Sequence, residues 1–198
     1  DNYLELEAQE KSHFSRLGNI LKGYPIYTEF LEGVKGVGPA MAGVMLSEID
    51  ITKAEYPSSL HKYAGLDVAS DGQGRSRKKE HLEDSEYTDK EGKVQIKKGI
   101  TFNPFLKTKL VGVLGSSFIK QSPDKCVYRK IYDDYKHRLE HMDAHKEKSK
   151  GHRHNMAVRY MIKMFLVDLY NAWRRIEGLP VAPTYSEAKL GKVHKIAA

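Results

Sequence analysis

The stretch Leu31–Leu46, LEGVKGVGPAMAGVML, decides how this chain is read. A helix is expected over Ile26–Glu32, bringing in Phe30, Leu31 and, just beyond it, Val34. Gly36-Val37-Gly38 then turns the chain, and Pro39 opens a second helix, a position where its missing N–H would go unpaired anyway. Ala40, Ala42 and Gly43 are small enough for close helix packing. Residues 26–46 therefore have the pattern of a helix-hairpin-helix. The N–H groups of such a turn and the positive end of the following helix dipole suit a phosphate. Gly36, Val37 and Gly38 are candidate DNA-backbone contacts; a plain corner between two helices, with no ligand, is the alternative.

Outward from this stretch, helical spacing dominates. Phe14, Leu17, Ile20 and Leu21 give residues 1–22 one apolar stripe, expected to pack locally or to serve as a coiled-coil arm. Asp50 and Thr52 are suited to cap a short segment at Lys53–Tyr56. Pro57–Ala64 reads as a further helix closed by Gly65. Glu86–Thr88 and Lys93–Ile96 flank DKEG and predict a β-hairpin. Helices are expected from Asn103 to Ile119, from Lys125 to Lys146 and from His152 to Glu177, the last apolar nearly all round at Met161–Tyr170. The predicted class is mainly α: a helical domain at 23–178 containing the helix-hairpin-helix, with one inserted β-hairpin. Residues 179–198, containing Pro, Lys and Gly, are expected to form a flexible tail.

Composition bounds the function. The 198 residues carry a formal charge of +7, which favours an anionic partner, and are enough for one domain with a sizeable core. A single cysteine, Cys126, rules out an internal disulfide framework and points to a reducing compartment. No apolar run reaches the length of a membrane span. The opening DNYLELEAQE lacks a start methionine and is expected to begin a fragment.

Charge concentrates in LDVASDGQGRSRKKEHL, Leu66–Leu82. Gly72 and Gly74 loosen the backbone, Ser70 and Ser76 offer hydroxyls, and Arg75, Arg77, Lys78 and Lys79 offer positive charge. An exposed basic loop would have the same composition. Lys107 adds a cation on the next helix. His152, Arg153 and Arg159 are expected on an anion-facing surface; six apart, the two arginines would serve different phosphates. His137, His141 and His145 recur every four residues, but no carboxylate or cysteine cluster accompanies them, so no metal is assigned.

GVGPAMAGVMLSEI, KYAGL, the Gly-Ser-basic loop and NPFLKTKL together resemble the C-terminal domain of the insertion-sequence family 110 (116/902) transposases. The resemblance implies an RNA-guided DNA recombinase with two parts. A preceding nuclease-like domain, expected to lie outside this fragment, would hold a metal-binding acidic tetrad and Mg. The present part would supply a serine that attacks a DNA phosphodiester and becomes linked to a 5′ phosphate. Many relatives carry a Ser-Ser-Gly-Gly-Lys-like segment after the Ala-Gly-Leu; here DVASDGQGRSRKK stands there and a hairpin is inserted before Asn103. Ser76 is the first candidate nucleophile, flanked by Arg75 and Arg77; Ser70, with Gly72 two residues on, is the second. The partners implied are DNA, a structured guide RNA and further copies of the chain, as a dimer or tetramer, in a bacterial or archaeal cytoplasm near the nucleoid. A non-catalytic DNA- or RNA-binding module and a dimerisation module are the alternatives.

Overall fold

The computed structural model describes residues 2–191. Helix α1 (Asn2–Leu21) stands in solvent over most of its length, with Tyr3, Leu4, Leu6 and Phe14 exposed. Only its last turns pack, through Leu17 and the buried Leu21. Helix α2 (Pro25–Glu29) is shorter than the sequence suggests. Its hydrogen bonding breaks at Phe30, and a 3-10 turn, Leu31–Gly33, completes the approach. Gly36 takes φ +97°, and a Cβ there would lie 2.8 Å from the Phe118 ring, so only glycine fits this turn. Helix α3 (Pro39–Glu48) begins with proline as expected. Its small face receives a different neighbour from the expected one: a Cβ on Gly43 would sit 3.6 Å from Leu17, which places α1 against α3, while Ala40 is exposed.

Asp50 accepts the Thr52 N–H at 3.1 Å and caps a 3-10 turn at Ile51–Lys53, slightly before the expected segment. Helix α4 (Pro57–Tyr63) ends at Gly65, whose φ is +62° and whose Cβ would strike the Phe102 ring at 2.6 Å. Strands β1 (Glu83–Thr88) and β2 (Val94–Gly99) pair antiparallel from Glu83–Gly99 to Thr88–Val94. The Asp89 carboxylate folds the turn by accepting the N–H groups of Glu91 and Lys93, each at 2.9 Å. Nearly every residue of this ribbon is exposed on both faces.

Asn103 caps α5 (Pro104–Thr108) by accepting the Leu106 N–H at 2.9 Å. That helix runs through a π-helical stretch, Lys109–Leu114, into α6 (Gly115–Ile119). Helix α7 (Val127–His141) stops five residues before the expected end, and a 3-10 turn follows at Asp143–His145. Helix α8 (Lys150–Ile176) is the central element. Met161, Ile162, Phe165, Leu166, Leu169 and Tyr170 are fully buried, each contributing about 1.5–3 kcal/mol of apolar transfer. Phe118, Tyr128 and Phe165 form an aromatic knot with centroids 4.8–5.5 Å apart. The buried Arg174 donates to the carbonyls of Ile51 (3.2 Å), Ala54 (2.6 Å) and Pro180 (2.6 Å), tying the 3-10 turn and the chain after α8 to the core.

Within the stretch expected as a tail, Tyr185–Leu190 forms helix α9. Thr184 and Glu187 cap it reciprocally, a local hydrogen-bond gain that composition does not reveal. The remainder of that expectation, from residue 192 onward, lies outside the described residues.

Candidate active site and nucleic-acid interface

The loop after Gly65 is held more tightly than its glycines suggest. Ala69 N–H donates to Gln73 at 2.8 Å, Gly72 N–H returns to Ala69 at 3.0 Å, and Val68 bridges to Gly74. Asp71 Oδ1 accepts the Gln73 N–H at 2.8 Å. Residues 68–74 are thus a small closed turn, with Gly72 at φ +76° where a side chain would be strained.

The turn delivers Asp71 to His81, and His81 to Ser76. Asp71 Oδ2 lies 3.0 Å from His81 Nε2. His81 Nδ1 lies 2.9 Å from Ser76 Oγ and accepts the Ser76 backbone N–H at 2.9 Å. A backbone N–H can only donate, so Nδ1 carries the lone pair and Nε2 carries the proton given to Asp71. The His81 side chain is 1% exposed, whereas that of Asp71 is 38% exposed. The His81 side chain, followed by the Gln73 N–H, holds the Asp71 carboxyl below the usual carboxylate range. Ser76 is half-buried, and its Oγ also accepts the Lys78 N–H at 3.3 Å. Ser70 is exposed and makes no side-chain hydrogen bond among the described residues.

The cations divide into two groups. Arg75, expected to meet a phosphate beside Ser76, points inward. It pairs with Asp67 at 2.9 Å and Glu83 at 2.8 Å, with 12% of its side chain exposed. Arg153 likewise turns inward. Its Nη1 donates to the carbonyls of Lys148 (2.6 Å), His145 and Lys146 (3.3 Å each), closing the joint between α7 and α8. Both arginines are struts of the backbone, because unpaired carbonyls and carboxylates nearby outcompete solvent for a planar donor. Arg77, Lys78, Lys79 and His152 are exposed.

Lys107 and Arg159 are half-buried around the base of the same loop. Lys107 Nζ donates to the Arg75 carbonyl at 2.5 Å and sits 4.5 Å over the Phe102 ring. Burial, then the neighbouring Arg159 charge, pushes its ammonium down to about 8. Arg159 donates to the carbonyls of Gly65 (3.2 Å) and Asp67 (3.4 Å), and burial lowers it as well. The space beside Gly74 is taken by Arg159. A Cβ at Gly74 would lie 2.8 Å from the guanidinium carbon.

Between this loop and the first half of α8 runs a groove of about 930 Å³, lined by Gly72, Gln73, Lys148, His152, Arg159 and Lys163 among others. Tyr135 and Tyr160, also on its wall, stack at 4.0 Å and 11°. Cations beside aromatic faces can hold both the backbone and the bases of a nucleic-acid strand. His81, Asp71's link to it, Lys163 and the tyrosine pair were not singled out by spacing. Only His81, five residues after Ser76, left a local trace.

The hairpin at Gly36–Gly38 lies elsewhere, against α6. Ser117 Oγ donates to the Gly36 carbonyl at 2.7 Å, and Val37 N–H is spent on Val34 at 3.0 Å. Gly38, exposed and without a side-chain cap, leaves the start of α3 open to solvent. The histidine stripe does not persist. His137 and His141 lie 4.1 Å apart on α7 with rings tilted by 32°, while His145 lies beyond the helix and contacts Lys148. Among the described residues no group of three or more His, Cys, Asp or Glu could hold a metal ion.

Residues 28–85 match the model of the Transposase IS116/IS110/IS902 family. That stretch is similar to transposases of this family. The matched stretch contains the hairpin, Ser70, Ser76, His81 and the cations of the loop. Comparison with curated proteins and with solved structures gives no match. Among the described residues no helix is long and apolar enough to cross a membrane.

Proposed function

We propose that the chain is the DNA-handling and serine-nucleophile part of an insertion-sequence recombinase. Ser76 Oγ attacks a DNA phosphodiester, the 3′ oxygen departs, and the strand stays joined to the protein as a 5′-phosphoserine. The observation carrying this reading is that the transposase match spans a closed loop with Ser76 half-exposed beside free cations. Arg77, Lys78 and Lys79 neutralise the phosphate, and such charge stabilises the transition state more than the ground state. His152, Lys107, Arg159 and the groove beside them take the flanking strand. The open start of α3 at Gly38 takes a second stretch of backbone.

The remaining parts of the reading concern the whole recombinase. A guide RNA shares the basic surface, copies of the chain assemble through the exposed apolar residues of α1, and the protein works on the nucleoid in the cytoplasm. Mg belongs, on this reading, to a separate nuclease-like domain of the recombinase. The test uses the full-length protein with its RNA and DNA: Ser76→Ala should abolish the covalent adduct while DNA binding persists. An adduct that survives this change but disappears with Ser70→Ala would move the assignment to Ser70.

A further inference from the structure

We propose that His81 is the general base for Ser76 and that Asp71 positions it, an inference that rests on Ser76 being the nucleophile. A serine hydroxyl is a weak nucleophile near neutral pH and needs a base within about 2.6–3.2 Å. Nδ1 of His81 lies 2.9 Å from Oγ and holds a lone pair there. The opposite nitrogen is engaged by the Asp71 carboxylate at 3.0 Å, which fixes the tautomer and steadies the imidazolium once formed. A side chain 1% exposed cannot trade this proton freely with solvent.

The step balances as follows. The Oγ–P bond forms, the P–O3′ bond breaks, the Oγ proton moves to His81 Nδ1, and the departing O3′ takes a proton from water. Protonation of Nδ1 releases the Ser76 N–H, which becomes a donor for a phosphoryl oxygen. On rejoining, an incoming 3′ hydroxyl gives its proton to solvent and attacks phosphorus, the P–Oγ bond breaks, and Oγ recovers its proton from the imidazolium. The charges around His81 are compatible with this cycle. Arg75 Nη1 lies 3.5 Å from the His81 carbonyl, but Asp67 and Glu83 of β1 already neutralise it. Lys78 lies near Asp71, and Lys107 of α5 is directed at the Arg75 carbonyl.

The test is the single-turnover rate of adduct formation against pH in the full-length protein with its RNA and DNA. The wild-type rate should rise with pH through one ionisation and then level. His81→Gln keeps an acceptor for the Ser76 N–H but no base. It should slow the step by about 10²–10⁴-fold and remove that ionisation. Asp71→Asn, which keeps an Oδ1 acceptor for the Gln73 N–H, should slow it and move the ionisation to lower pH, because the imidazolium loses its carboxylate. A histidine that only braces the loop would leave the Asp71→Asn profile unchanged. Wild-type rates and profiles in both variants overturn the relay, and Asp71→Asn alone decides if His81→Gln does not fold. An adduct that persists in Ser76→Ala instead overturns the nucleophile assignment itself.

Discussion

The Arg159 guanidinium lies across Gly74, 85 residues earlier, so closely that a Cβ on Gly74 would stand 2.8 Å from its central carbon. The contact fastens the serine loop to the central helix and brings a cation to the groove wall without spending it on a carboxylate.

Gly74→Ala should therefore displace Arg159 and destabilise the domain by about 1–3 kcal/mol, the usual cost of overpacking. Gly74 has no positive φ, so the loss would come from this contact and not from backbone strain. Urea unfolding of the variant, beside Arg159→Ala and the double variant, should show the two changes to be non-additive.

Arg174 holds three carbonyls, two from the turn at Ile51 and Ala54 and one from Pro180. Arg174→Met should cost about 3 kcal/mol, because it leaves buried acceptors unpaired. Arg174→Lys should recover only part of this. A denaturant midpoint equal to that of the wild type in the Met variant would remove Arg174 from the account.

His61 is half-buried with Nε2 3.1 Å from the Lys163 carbonyl, and desolvation pushes its imidazole down to about 4 from 6.5. The unfolded chain therefore takes up a proton below pH 6.5 that the folded domain refuses until about pH 4. His61 should contribute stability that is present above pH 6.5 and lost as pH falls through that window. Replacing it by Gln should flatten this portion of the stability–pH curve, measured by thermal melting.

Gly36 and Gly38 should separate packing from binding. Gly36→Ala meets both a φ of +97° and the Phe118 ring and should melt early. Gly38 faces open space. Gly38→Phe should keep the melting temperature yet weaken non-specific DNA binding several-fold. Affinity unchanged across a salt series would show that the hairpin does not touch the phosphate backbone.

Much of the framework was legible because it is local. Pro39, Pro57 and Pro104 each open a helix, Gly65 closes one, and the DKEG turn sets the ribbon. The site was legible only in its ingredients. Ser76 and the basic run stand out in sequence, but the inward turn of Arg75 depends on Asp67 and Glu83, and that of Arg153 on three carbonyls of a joint. The place of Gly74 depends on a helix far along the chain. Such pairings follow from tertiary packing, which neither spacing nor composition encodes. Helix α9 is the opposite case: its Thr184–Glu187 capping signal was in the sequence, hidden by a tail-like composition.

The most direct measurement is to locate the phosphorylated serine in the trapped adduct. Trypsin cuts after Lys62, Arg75 and Arg77, which places Ser70 in the peptide Tyr63–Arg75 and Ser76 in Ser76-Arg77. After nuclease digestion of the DNA in the full-length complex, mass spectrometry should find the nucleotide remnant on Ser76, in that dipeptide or its missed-cleavage forms. A remnant on Ser70 within Tyr63–Arg75, or on no serine of this loop, would contradict the assignment.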